Sequence, residues 1–529
     1  LKRPTGLTAR AIALATASIA AIVLTGCASL VGASGEPAAA TVGPSAAVSA
    51  TLIDAGTPAA LLKFYNQKVS WKSCGGTSGA KCGTVLVPTN WAKPAAGSLK
   101  LAVAWKHSGN GKPLGSILFN PGGPGEPAYD WVAKEGASGI GTATLRANYN
   151  LVAFDPRGVG RSQPYVKCLD AKGNDDLFYG DQKYPIGSAA DLAETRAKTK
   201  NFVDSCVKNT GAALQFVDSV SAARDMDVLR VVFGDRKLNY LGYSYGTYLG
   251  TMYAAQFPKR VGHLVLDGAV DPTVSDYDQS FLQLKGFDSA LRAYLADCLA
   301  SSGCPFTGTV VQAQAKIAAW FRSLETKPIS AGNGRELTVW AAQTGLIMTL
   351  YSDSYWKYAT DAFTEAFTKG TGANFMHLAD FYYDRNADGT YASNLMEANI
   401  AIACMDSRSN WDPIEVAKQN ERVIAGSSVF GRYWQNGALT CSLWPYPLAK
   451  RPADLSARGA APILVIGTTN DPATPYSQAQ ALAKLLRSGV MVTFNGEGHT
   501  AYGRSNSCID KTVDSYFVNG KIPASDPQC

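Results

Sequence analysis

Ser244 stands in Gly242-Tyr243-Ser244-Tyr245-Gly246, directly after the apolar run 238–241 and before a helix-compatible stretch, 247–256. A serine between two glycines at a strand-to-helix junction fits a turn so tight that a side chain at either glycine would clash, and the turn pushes the hydroxyl out over the strand ends. A serine hydroxyl is a poor nucleophile at neutral pH. An imidazole must take its proton, and a carboxylate must orient that imidazole and stabilise its charge. Downstream, Asp471 follows the apolar run 462–467 in Gly467-Thr468-Thr469-Asn470-Asp471-Pro472, and His499 follows the run 491–496 in Gly496-Glu497-Gly498-His499-Thr500. Ser244, Asp471 and His499 are therefore the candidate catalytic set, with Thr474 a possible support for the acid loop. The other histidines, His107, His263 and His377, are read as structural.

The chemistry that follows is acyl transfer, and its tetrahedral intermediate needs two backbone N–H donors. Tyr245, next after the nucleophile, supplies one. The other is assigned to Gly123 in Asn120-Pro121-Gly122-Gly123-Pro124-Gly125, because Pro124 has no N–H and Gly122 precedes the turn. This loop has neither the Lys-Ser/Thr of a phosphate-binding loop nor dinucleotide spacing.

These residues need a sheet to hold them. Strand-like runs at 99–105, 116–120, 149–155, 238–242 and 263–267 alternate with helical stretches, as in an α/β protein with a mostly parallel sheet and helices on both faces. Both downstream candidates lie where loops leave the carboxyl ends of strands, the edge on which such sheets build their sites. The alternation stops at 273–458, a stretch rich in aromatics and helical periodicity, and resumes at 459–529. One sheet, with its first part at 61–272, interrupted by a helical cap explains this better than two domains, because the last strands would have no sheet of their own.

The chain has 529 residues, of which 46% are hydrophobic and 17% charged, so it can build a large core. Its net charge of +7 is scattered without runs, which argues against nucleic acid as a partner. Lys2, Arg3 and Arg10 precede an uncharged apolar run, 11–24, so residues 1–26 read as an export signal. Leu24-Thr25-Gly26-Cys27 resembles a bacterial lipobox, which makes Cys27 the expected lipid attachment point and the membrane a partner; an ordinary signal peptide cut nearby is the alternative. Residues 27–60, rich in Ala, Gly, Ser, Pro and Val, read as a flexible tether. Of 11 cysteines, ten remain beside Cys27, an even number that points to disulfides in an exported chain. Spacing does not fix connectivity; near-neighbour pairing would join Cys74–Cys82, Cys168–Cys206, Cys298–Cys304, Cys404–Cys441 and Cys508–Cys529. No Cys-x-x-Cys occurs and the histidines are far apart, so no metal site is expected, and no cofactor.

The Pro-Gly-Gly-Pro-Gly loop at 121–125, the stretch Asp155-Pro156-Arg157-Gly158-Val159-Gly160-Arg161-Ser162, the Ser244 turn and the Asp471 and His499 loops together resemble the proline iminopeptidase and actinomycete tripeptidyl aminopeptidase branch of the α/β-hydrolases. The resemblance spans roughly residue 70 to the end. It implies an α/β-hydrolase fold, a lid formed by the helical insertion, and a structural role for 155–162 at the rim of the site. It further implies cleavage of residues or short peptides from free N-termini, with acidic side chains holding the substrate ammonium; Glu397 and Asp406 are the candidates. Asn120-Pro121 stands where proline iminopeptidases usually carry a histidine, which favours the exported tripeptidyl branch. A carboxylesterase would use the same groups and differ only in its pocket. A non-catalytic binding lipoprotein is the remaining alternative.

Overall fold

The computed structural model describes residues 52–529 apart from Ser409 and Ser525. The export signal, Cys27 and the first part of the tether lie outside the described residues. The tether ends earlier than residue 60: Arg230 Nη2 donates to Leu52 O at 3.1 Å, Arg260 pairs with Asp54, and a helix starts at Ala59. Leu52 and Ile53 pack on the core, which is why this stretch is ordered despite its composition.

The strands are β1 (Lys72–Ser73), β2 (Lys81–Pro88), β3 (Ser98–Lys106), β4 (Ser116–Asn120), β5 (Asn150–Phe154), β6 (Leu238–Tyr243), β7 (Val261–Asp267), β8 (Ile329–Gly332), β9 (Arg335–Leu337), β10 (Ile463–Asn470) and β11 (Gly489–Glu497). Nine of them form one sheet in the order β1-β2-β3-β5-β4-β6-β7-β10-β11, and β8 and β9 make a separate hairpin. From β5 to β11 all neighbours are parallel, while β1, β2 and β3 add an antiparallel edge. A parallel strand is covered on both faces, so it reads as an unbroken apolar run. In β4 all five residues, Ser116 to Asn120, are buried.

Alternate side chains leave each strand toward opposite layers. Leu118, Val152, Tyr240, Leu264 and Val465 join one core with the helices Ser219–Val232 and Tyr245–Gln256. Ile117, Phe119, Ala153, Leu241, Val265 and Ile466 join the other, with the helix Ser507–Asn519. Truncating Leu118, Leu241, Leu264, Ile117 or Ile466 to alanine should cost about 2–5 kcal/mol. The chain runs from β4 to β5 on one side and returns to β6 on the other. That reversal opens a crevice at the carboxyl end of β4, and both the glycine-rich loop and Ser244 lie there.

Between β7 and β10 the chain forms a helical layer with its own core of Leu291, Phe321, Leu346, Phe363 and Phe375. This layer also takes material from ahead of Ser244. The helices Ala171–Phe178 and Ala189–Thr210 form an excursion between β5 and β6; Tyr179 and Ile186 join the cap core, and Phe202 and Cys206 pack against Ala401 and Cys404. The cap is thus built from two insertions, where the sequence reading assigned all of 61–272 to the sheet. Disulfides join Cys74–Cys82, Cys168–Cys206, Cys298–Cys304, Cys404–Cys441 and Cys508–Cys529.

Candidate active site

Ser244 follows β6 directly, with φ 55° and ψ −125°, a positive-φ backbone that a non-glycine residue adopts only when its surroundings impose it. Its N–H donates to Asp267 O at 2.8 Å. The flanking glycines are required by close approach: a Cβ on Gly242 would lie 2.5 Å from Gly246 O, and one on Gly246 would lie 2.8 Å from Asn120 O. The helix Tyr245–Gln256 begins at the next residue, so the Tyr245 N–H has no intrahelical acceptor and sits at the positive end of the helix dipole.

The loop after β4 passes beside this turn. A Cβ on Gly122 would meet Ser244 Cβ at 2.9 Å and Tyr243 O at 2.7 Å, and Gly122 has φ 111°. Gly122 N–H donates to Asn120 Oδ1 at 3.1 Å, whereas Gly123 N–H makes no protein hydrogen bond among the described residues. Among the described residues, two backbone donors from different segments, Gly123 and Tyr245, are thus left without a protein acceptor beside Ser244.

Asp471 and His499 are brought together. His499 Nδ1 lies 2.9 Å from both carboxylate oxygens of Asp471, whose side chain is fully buried. The carboxylate is held by Ala473 N–H and Thr474 N–H at Oδ1 and by the Thr474 hydroxyl at Oδ2. Thr474 Oγ1 also lies 3.3 Å from His499 Nδ1. With Asp471 accepting at Nδ1, the imidazole keeps Nε2 unprotonated, the tautomer needed to accept a proton from a serine. Gly268 lies under the ring, where a Cβ would be 3.0 Å from Cε1. The backbone carbonyl of Tyr351, from the cap, accepts from the backbone N–H of His499 at 2.8 Å, and the Tyr351 ring packs against the imidazole.

Asp267 is a support that sequence reasoning missed. Its backbone oxygen holds Ser244, while its carboxylate accepts from Ala501 N–H and Tyr502 N–H and so pins the loop that carries His499. Burial pushes this carboxyl up to about 6. Its only sequence signal was an aspartate closing an apolar strand.

The stretch 155–162 is scaffolding. Asp155 accepts from Tyr129 N–H and Arg161 N–H, and buried Arg157 forks onto Asp225 at 2.6 and 2.7 Å while donating to the carbonyls of Pro88, Thr89 and Phe216. His263 packs on Tyr516 and His107 on Trp105.

A cavity of about 370 Å³ adjoins this turn, touching Pro124 and Tyr245. Tyr248, Tyr277 and Trp434 line it, with Asp271, Asp276 and Asp406 as its acidic groups. The two expected amine ligands separate here. Glu397 borders a different cavity and accepts from Leu169 N–H at 2.8 Å and from Asn174 at 3.3 Å, because its position near the start of the helix Leu395–Asp406 points it toward the 155–170 segment. It is not placed to meet a substrate at Ser244. Asp406, at the other end of that helix, lines the cavity.

A family model described as TAP-like protein matches residues 427–529. The serine protease Hip1 of Mycobacterium tuberculosis is 36% identical over 486 residues, covering 88% of this chain and 91% of that protein. Carboxylesterase B of the same organism is 35% identical over 473 residues, covering 87% and 89%. The chain belongs to the tripeptidyl-aminopeptidase-like branch of the α/β-hydrolases. The tripeptidyl aminopeptidase of Streptomyces lividans is 29% identical over 485 residues, covering 87% of this hydrolase and 86% of its own length. As a member of the branch this protein is a serine hydrolase, and the five disulfides among the described residues mark it as folded in an oxidising compartment outside the cytoplasm. No helix of the described residues is long and apolar enough to cross a membrane.

Proposed function

We propose that the protein is a serine aminopeptidase that releases short N-terminal fragments from peptides. Ser244 attacks the scissile carbonyl, His499 takes its proton and later delivers it to the leaving amine, and Asp471 holds the imidazole and stabilises its positive charge. The oxyanion is received by Gly123 N–H and Tyr245 N–H. Water then releases the acyl fragment by the same steps in reverse order.

The observation that carries the peptidase reading is the cavity beside Tyr245 and Pro124. Its size suits a short peptidyl group, and its wall acids, Asp406 with Asp271 and Asp276, supply the negative charge that a free ammonium requires. The names of the peptidase relatives agree with it. The relative named carboxylesterase B supports a second reading, hydrolysis of short acyl esters, which calls for the same polar groups at Ser244 and no amine. We also assign a diacylglyceryl anchor to Cys27, which would tether the enzyme to the outer face of the membrane. Hydrolysis of free-amine tripeptide and dipeptide chromogenic amides, compared with their N-blocked forms and with short acyl esters, tests the choice. Cleavage of the free-amine peptides alone is expected; turnover of esters alone makes the protein an esterase.

A further inference from the structure

The helix Leu395–Asp406 touches both halves of the proposed oxyanion hole. Near its start, Asn399 Nδ2 donates to Pro124 O at 3.0 Å, one residue past Gly123. The same turn is packed so closely on the loop that a Cβ on Gly125 would lie 2.6 Å from Leu395 O and 2.7 Å from Asn399 N. At its end, Asp406 Oδ1 accepts from Ser219 N–H at 2.8 Å and Oδ2 accepts from the Ser219 hydroxyl, which is in turn bonded to the Tyr245 hydroxyl. Asn399 and Asp406 are seven residues apart, two turns along one face and about 10 Å in axial rise. The disulfide Cys404–Cys441 fixes this end of the helix to the rest of the cap.

We infer that this cap helix acts as a spacer for the oxyanion hole: Asn399 fixes the Gly123 loop through Pro124 O, and Asp406 fixes Tyr245 through Ser219. Asn399, Asp406 and Ser219 are then positioning residues for acyl transfer. This rests on the proposed roles of Gly123 and Tyr245.

The polarity of the chain follows from the charge on Asp406. An ionised carboxylate only accepts, so the Ser219 hydroxyl must donate to it and the Tyr245 hydroxyl must donate to Ser219. Protonated Asp406 donates to Ser219 instead, and the order reverses. Burial raises this carboxyl to about 7; the two Ser219 donors oppose the rise, Asp218 adds to it, and Arg451 opposes it. Tyr245 and Tyr248 are the remaining titratable groups that interact with it, and burial pushes both phenols upward, so neither ionises near neutrality. Both states of the chain are therefore reached in the neutral range.

The test compares Ser219→Ala, Ser219→Thr, Asn399→Ala and Asp406→Asn with the parent chain, each normalised to active sites titrated by a fluorophosphonate. A free-amine tripeptide amide and a short acyl ester serve as substrates. Displacing an oxyanion donor without removing it should lower kcat by about tenfold, less than the 10²–10³ that follows loss of a donor. The fall in kcat should appear on both substrates, with KM little changed in the Ser219 and Asn399 variants; Ser219→Thr should spare it, and Asp406→Asn should in addition raise KM for the free-amine substrate alone. In Asp406→Asn the amide donates to Ser219 at every pH, so the ratio of parent to variant kcat should shrink as pH falls through about 7. Variants that keep kcat within twofold per titrated site, whatever their melting temperature, overturn the inference. So does a change confined to KM for the free-amine substrate, which would make Asp406 an amine ligand alone. Turnover that survives Ser244→Ala overturns the proposed mechanism itself, a result separable from either.

Discussion

Replacing Asp471 by asparagine removes one charge from the site and leaves its shape. The orientation of the new amide is set by its neighbours: Ala473 N–H and Thr474 N–H both point at the Oδ1 position, 2.9 and 2.8 Å away, so the oxygen must stay there. The NH₂ group then takes the place of Oδ2, 2.9 Å from His499 Nδ1. There it donates to the ring nitrogen and favours the tautomer with its proton on Nε2, which cannot accept from Ser244. The imidazolium formed during attack also loses its counter-charge. Together these should lower kcat by about 10⁴, equivalent to about 5 kcal/mol of transition-state stabilisation. Stability should fall only modestly, because Ala473 N–H and Thr474 N–H keep their acceptor and only the long bond from Thr500 N–H, 3.4 Å to Oδ2, is lost. The assay is kcat for a free-amine tripeptide amide, corrected for titrated active sites, beside a denaturation curve. A variant that retains more than about a tenth of the parent kcat would refute the assignment of Asp471 as the orienting acid.

Three further outcomes follow from the same geometry. Thr474→Val keeps the backbone bond to Asp471 but loses the hydroxyl bridging Asp471 and His499, and should cost about tenfold in kcat with KM unchanged, an effect of one hydrogen bond that Thr474→Ser should spare. Arg157→Met strands Asp225 in the core without its partner and should lower stability by about 3–5 kcal/mol, read from urea unfolding. Burial raises Asp235 and Asp267 each to about 6. The folded chain therefore holds protons that the unfolded chain releases near pH 4, so these groups' contribution to stability is full below pH 4 and is lost as pH rises through about 6. Asp235→Asn, far from Ser244, should flatten that slope by about one proton.

The inner parallel strands were legible because strands covered on both faces are continuous apolar runs, and the candidate site was legible because Ser244 and Asp471 each follow one of them and His499 follows the edge strand β11. β2 escaped notice: it is an antiparallel strand near the sheet edge with partly exposed side chains, and Lys81-Cys82-Gly83-Thr84 opens it without an apolar run. The 171–210 excursion was counted with the sheet because its helices look like ordinary crossover helices. Their contacts with residues more than a hundred positions downstream, made by Tyr179, Ile186, Phe202 and Cys206, reveal their allegiance to the cap. The misplacement of Glu397 has the same origin. One helix carries both Glu397 and Asp406, nine residues and thus about two and a half turns apart on opposite faces, and its sequence does not say which face meets Ser244.

The most direct test of the account is intact-protein and peptide mass spectrometry after treatment with a fluorophosphonate. A single adduct on the peptide containing Ser244, absent in Ser244→Ala and formed far more slowly in His499→Ala, is the expected result. No adduct, or an adduct at another residue accompanied by full turnover in Ser244→Ala, would contradict the mechanism.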